Sequence, residues 1–285
     1  MAASATLFAF MNFFAKLASS SASWASVGAV RAFVGALVAI GVARARGVSL
    51  AATDRKAVFW RSVAGTGAMM TTFYALSSRT LGLGDTVTLL NLMPVFLSVL
   101  APIFLRERTT KAVGLGIALA LGGVVLVVRP SFLFGGASHG GGVYAAVAVL
   151  SALLSSIAMM LLRRVGQTES AEAIAVHFSL FAALVLAIVA AFDFRVPTAR
   201  DAAFMIAAGV CAGFAQIAMT RAYALEQAAR VSAMSYLAVV ASALLGALAL
   251  GERPPLVAVL GMALVVAGGV VVTFGKERYS PAPHR

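Results

Sequence analysis

Charge is scarce in this chain. Asp and Glu supply only 10 of its 285 residues, and charged residues of either sign make up 11%, against about 25% in a soluble domain. Hydrophobic residues reach 61% and mean hydropathy is +0.98. So little polar surface excludes a water-facing exterior, and the bilayer must be the solvent. Cysteine is rarer still: Cys211 stands alone, which excludes a disulfide framework and a cysteine-based metal site. The three histidines, His139, His177 and His284, lie far apart. With no His-Glu-x-x-His, no Gly-x-Ser-x-Gly and no intramembrane Asp pair, a membrane-embedded enzyme is poorly supported, and no cofactor or metal is expected. No charged leader with a cleavage site precedes a polar domain. Met1 abuts the first apolar stretch directly, which leaves open a start further upstream.

What the chain has in excess is positive charge, +12 net. The lysines and arginines form no stripe interleaved with aromatics, as a nucleic-acid face would need. They sit instead in short clusters between apolar stretches. Those stretches number ten, at roughly 2–20, 23–43, 57–78, 84–105, 110–129, 141–163, 170–192, 201–224, 229–250 and 255–275, each near the length that crosses a bilayer as a helix. With both termini cytoplasmic, fifteen Lys and Arg fall on the inner side, Arg61 counted among them, and five on the outer side. That bias orients the chain in a bacterial-type inner membrane.

Residues 92–128 reappear in weakened form at 237–273. Leu105-Arg106-Glu107-Arg108 falls on Leu250-Gly251-Glu252-Arg253 at an offset of 145, and Gly116 and Gly123 fall on Gly261 and Gly268. Ten spans divide as five and five, and an odd number per copy turns the second copy upside down. The fold class expected is therefore an all-α polytopic membrane protein of ten transmembrane helices in two inverted five-helix repeats. The repeats run 1–130 and 141–275, and 276–285 forms a cytoplasmic tail. Inverted repeats are the architecture of alternating-access carriers, with substrate held near the midplane where the repeats meet.

Tyr74-Ala75-Leu76, Asn91-Leu92-Met93-Pro94-Val95-Phe96, Leu105-Arg106-Glu107-Arg108 and the glycine-rich stretch from Gly114 to Arg129, with Tyr223-Ala224-Leu225, Tyr236-Leu237, Leu250-Gly251-Glu252-Arg253 and Gly268-Gly269 in the second copy, resemble the drug/metabolite transporter superfamily in its ten-helix EamA branch. The resemblance covers nearly the whole chain. It implies transport of small organic molecules, commonly amino acids, metabolites or drugs, often by exporters or exchangers. Some relatives in that superfamily are thought to flip lipid carriers, and this remains the alternative. One departure is that Pro94 has only Val239 at the matching position.

An arginine within a span costs at least ~2.5–3.5 kcal/mol and usually faces a cavity or a partner. Arg31 is therefore the first candidate for substrate binding. His177 pairs with it at an offset of 146, through Ala29-Val30-Arg31 and Ala175-Val176-His177. Met70 and Tyr74 share a helical face with Ser77, and Gln216 shares one with Met219, Thr220 and Tyr223. Asn91 and Tyr236 complete the substrate-binding candidates. Pro94, inside a span, frees the carbonyl of Leu90 and suggests a hinge. Lys16 can snorkel to the headgroups. Glu107, Arg108, Glu252 and Arg253, in the turns at the membrane surface, are gating or structural candidates. Each of these residues also has a plain reading as packing or interhelical hydrogen bonding. The partners expected are the lipid bilayer and a small-molecule substrate, with a coupling proton or a counter-substrate, in a monomer or a dimer.

Overall fold

A backbone in hydrocarbon must satisfy its own polar groups, and an apolar run of about 20 residues does so as a helix. The computed structural model describes residues 1–18, 22–76, 83–107, 110–128, 133, 142–192, 196–250 and 255–274, and no strand occurs among them. The described residues form twelve α-helices in chain order. The first six are α1 (Ala2–Ala18), α2 (Trp24–Ala45), α3 (Arg55–Leu76), α4 (Leu83–Leu90), α5 (Met93–Phe104) and α6 (Lys111–Val128). The second six are α7 (Gly142–Val165), α8 (Ala171–Ala191), α9 (Ala199–Leu225), α10 (Ala228–Ala233), α11 (Leu237–Leu250) and α12 (Leu256–Phe274). A single 3-10 turn, Met234–Tyr236, joins α10 to α11.

Among the described residues, eight segments are long and apolar enough to cross a membrane. Two of these are interrupted: Thr86–Phe104 contains most of α4 and all of α5, and Ala228–Ala249 runs from α10 through the 3-10 turn into α11. α1 is apolar but shorter. α3 is long enough but carries Arg55, Lys56 and Arg61 among its 22 residues.

Local sequence sets the same start on two helices. Ser23 caps α2 by accepting the Ser26 N–H at 3.2 Å, and Ser170 caps α8 by accepting the Ala173 N–H at 3.2 Å. A cap of this kind satisfies one of the four orphan donors of a helix start. The two caps are 147 residues apart. At the same offset, the Ser4 hydroxyl donates to the Ala215 carbonyl (2.8 Å) and the Ser151 hydroxyl to the Ala68 carbonyl (3.0 Å). These hydrogen bonds tie α1 to α9 and α7 to α3.

The tightest crossing lies elsewhere. α6 and α12 run antiparallel, with Gly116 against Gly268 and Gly123 against Gly261. A Cβ on Gly123 would come 2.5 Å from the Gly261 carbonyl oxygen, and one on Gly268 would come 2.5 Å from that of Gly116. Without side chains at these four positions the two backbones close to direct contact, and dispersion and packing then hold helices that gain nothing from hydrophobicity in lipid. Gly209 and Gly213 do the same for α9 on α2, where a Cβ would meet Val34 and Val38.

Candidate functional site

A cavity of about 280 Å³ lies in the middle of the bundle, lined from α1, α2, α3, α7, α8 and α9. Its walls pair up across the two halves of the chain. Phe8 and Ser155, Ala32 and Ser179, Gly35 and Ala182, Gly65 and Ala212, Met69 and Gln216, and Thr72 and Met219 all line it, and each pair is 147 residues apart. The cavity therefore sits where equivalent faces of the two halves meet.

Two guanidinium groups break that equivalence. Arg31, on α2, donates to the Met11 sulfur at 2.8 Å and to the Met69 sulfur at 2.6 Å, and its Nε has no hydrogen-bond partner among the described residues. Thioether sulfur is a weak acceptor, so Arg31 is held in place without being neutralised. Arg61, on α3, is 1% exposed, and its Nε and Nη1 likewise lack a partner. Its Cζ lies 4.1 Å from the centre of the Phe178 ring, an arrangement favoured by the negative face of the aromatic ring. The room comes from Gly65, one helical turn further on: a Cβ there would stand 2.5 Å from Nη1 of Arg61. No carboxylate is among the described residues that line the cavity.

Arg61 does not belong with the surface arginines, as its nearness to Arg55 and Lys56 in sequence suggests. It lies far enough into α3 to face inward, and the excess of inner-side basic residues survives its removal from that set. The equivalence of Arg31 with His177 also needs correcting by one residue. The shared caps and reciprocal hydrogen bonds place Phe178, 147 residues on, at the position of Arg31. His177 sits one step round the helix on the exposed face of α8 with Leu180, Leu184 and Ile188. Its Nδ1 is 2.8 Å from the Ala173 carbonyl, and the ring borders a separate recess with Arg55, Phe59, Ser62 and Phe181.

Of the other substrate-binding candidates, Gln216 lines the cavity and the Nε2 of its buried amide lacks a partner among the described residues. Met70 and Tyr74 are outside the lining, which takes Met69 and Thr72 from α3 instead. Tyr74 is half exposed and stacks on Tyr144 of α7, ring centres 5.3 Å apart. Tyr223 is fully buried in the core that joins α3, α5, α7 and α9.

Asn91 and Tyr236 meet each other at the interruption between α4 and α5. The Asn91 side chain donates to the Val87 carbonyl (2.8 Å), and the Tyr236 hydroxyl donates to the Asn91 carbonyl (2.9 Å). Pro94 is buried as the second residue of α5. The chain thus stops one helix at Leu90 and starts another, so the missing proline N–H falls in a first turn where no intrahelical bond is lost. The second interruption, at Met234–Tyr236, forms without a proline.

At one end of the bundle, ion pairs join the two halves. Glu107 accepts from Arg163 Nε at 2.8 Å and from the Ala228 N–H at 2.7 Å. Arg163 in turn donates to the carbonyls of Tyr223 (2.9 Å) and Ala224 (2.7 Å) at the end of α9. Glu172, 3% exposed, binds both Arg46 (3.1 Å) and Arg221. Arg108, Glu252 and Arg253 lie outside the described residues, as does the side chain of Lys16.

Breaking a largely buried pair leaves one charge unpaired, at about 3–5 kcal/mol. Glu107→Ala should therefore lower the melting temperature of the detergent-solubilised protein markedly. Glu226→Ala, which removes an exposed i,i+4 pair with Arg230, should change stability by no more than about 0.5 kcal/mol. Equal melting temperatures for the two variants would show that Glu107 does not clasp the halves.

The EamA-like transporter family matches this chain over residues 1–129 and 143–274. The chain belongs to that family. It is an integral membrane protein, and family and relatives alike point to a membrane transporter. The pseudopaline exporter CntI of Pseudomonas aeruginosa is 30% identical over 266 residues, covering 93% of this chain and 89% of the exporter. A riboflavin transporter of Rhizobium johnstonii is 28% identical over 200 residues, covering 70% of this chain and 64% of that protein. Solute carrier family 35 member G1 of Mus musculus is 30% identical over 66% of this chain and 53% of its own length. A solved crystal structure superposes with a TM-score of 0.82 over 96% of this chain and 99% of its own, at 22% identity. That likeness concerns the fold alone.

Proposed function

We propose that this protein is a secondary active transporter of small organic metabolites bearing an anionic group, working by alternating access around the central cavity. Amino acids and related compounds are the substrates considered first, and export or exchange is the direction. Relatives named for pseudopaline export and riboflavin transport support a small-molecule cargo. The observation that carries the reading is the cavity whose lining positions pair at 147 residues across the chain. In it, Arg31 stands without a carboxylate partner among the described residues.

The reciprocal contacts support two five-span repeats of opposite orientation, over 1–130 and 141–275. Gly116 faces Gly268 while Gly123 faces Gly261, so each position touches the counterpart of the other, as two-fold symmetry requires. Equivalent helices that run antiparallel at such an axis belong to copies that are mutually inverted. In this reading both termini are cytoplasmic in a bacterial-type inner membrane. The ion pairs of Glu107 and Glu172 then close the cytoplasmic side, and rocking of one repeat against the other would break them.

The test is access to the cavity. Ser155→Cys, placed in a Cys211→Ser background and reconstituted in liposomes, should react with a small membrane-impermeant thiol reagent from either side, though never from both at once. Transported substrate should slow that reaction. Labelling from one side only, under every condition, would overturn alternating access.

A further inference from the structure

Resting on the transporter reading above, we propose that the cavity is a two-point anion site. Arg31 and Arg61 would each hold one carboxylate of a short dicarboxylic substrate, with the apolar walls and the Gln216 amide around its middle.

A cavity built from two equivalent halves would present a second guanidinium at the position equivalent to Arg31. That position holds Phe178, and Arg61 lies over its ring, Cζ to ring centre 4.1 Å. The ring thus supports a cation on the side of the cavity where repetition would have set one. Positive charge is in this way supplied to both sides of the axis, although both arginines belong to the first half of the chain.

The hydrogen-bonding state of the two groups points the same way. Arg31 Nε, Arg61 Nε and Arg61 Nη1 are buried and have no partner among the described residues. Buried guanidinium groups are ordinarily paired with acids or carbonyls. Gln216, 7% exposed, adds an unpartnered Nε2 to the same cavity. Unfilled donors buried beside a low-dielectric cavity favour anionic oxygens there, and guanidinium forks match carboxylates in geometry. A single carboxylate balances one of the two positive charges; two carboxylates balance both. At about 280 Å³ the cavity sits at the lower edge of the usual ligand-pocket range of roughly 300–1,000 Å³. Short chains fit that volume better than drug-sized molecules.

Thermal-shift titration of the purified protein tests this with succinate, glutarate and adipate, matched monocarboxylates, and sulfate, all at constant ionic strength. At least one dicarboxylate should raise the melting temperature at concentrations roughly tenfold or more below its monocarboxylate partner, since ligand that binds only the folded state stabilises by mass action. Arg61→Met should abolish that preference while monocarboxylates still bind, and Arg61→Lys should retain part of it, which separates a lost charge from a lost fold. Equal response to mono- and dicarboxylates, no response to any dicarboxylate, sulfate matching the best dicarboxylate, or a preference intact in Arg61→Met would each overturn the two-point site. Counterflow in proteoliposomes distinguishes this from failure of the carrier reading. Dicarboxylate binding without exchange sinks the carrier alone, and exchange of monocarboxylates without preference sinks the two-point site alone.

Discussion

Arg31→Ala should abolish transport while leaving the protein folded in the membrane. Losing one partner of a desolvated charge contact costs about 2–5 kcal/mol, which corresponds to a fall of roughly 30- to 5,000-fold in transport at limiting substrate. The fold has little to lose, because the only acceptors of Arg31 among the described residues are two methionine sulfurs. Removing a charge from mid-span even relieves an insertion cost of ~2.5–3.5 kcal/mol. Initial rates in proteoliposomes, with size-exclusion profile and melting temperature measured on the same preparation, check both halves of the expectation. Normal transport by the alanine variant would remove Arg31 from the substrate site.

The second large effect belongs to the crossing of α6 and α12. Gly123→Val should prevent accumulation of folded protein, because its Cβ would come 2.5 Å from the Gly261 carbonyl oxygen and 2.8 Å from Val265. Backbone stands on the far side, so the clash cannot be relieved by a side-chain rotation. Overpacking usually costs about 1–3 kcal/mol, and two backbones forced apart along a helix should exceed the upper figure. Gly122→Val is the control, with nothing within 4 Å of the new Cβ; its yield and melting temperature should match wild type. If both variants accumulated equally, the close crossing would be wrong.

Much of this architecture could be read from hydropathy, because a bilayer imposes one solution on an apolar run. Among the described residues, eight of the predicted stretches coincide with segments long and apolar enough to cross a membrane, and Arg31 stands out as a lone charge within one of them. Other features stayed hidden for particular reasons. Arg61 follows Arg55 and Lys56 so closely that it reads as a third surface charge. Only its depth within α3, together with a glycine four residues later, marks it as inward-facing. On α3 the sequence points to Met70 and Tyr74 where Met69 and Thr72 line the cavity, because the polar residues of this helix are spread round it and leave little amphipathic signal to orient it. Register suffered likewise. Ala-Val-Arg against Ala-Val-His is a persuasive local match, yet the caps at Ser23 and Ser170 set an offset one residue longer. The interruption before α5 was visible through Pro94, whereas its counterpart at Met234–Tyr236 has no proline to betray it.

Cavity and crossing share no helix. All lining residues come from α1, α2, α3, α7, α8 and α9, while the glycine contact belongs to α6 and α12. Substitutions that reshape the recognition surface therefore leave the α6–α12 crossing untouched, and the reverse also holds. A scaffold divided in this way can change its cargo by ordinary point mutation without first acquiring surplus stability.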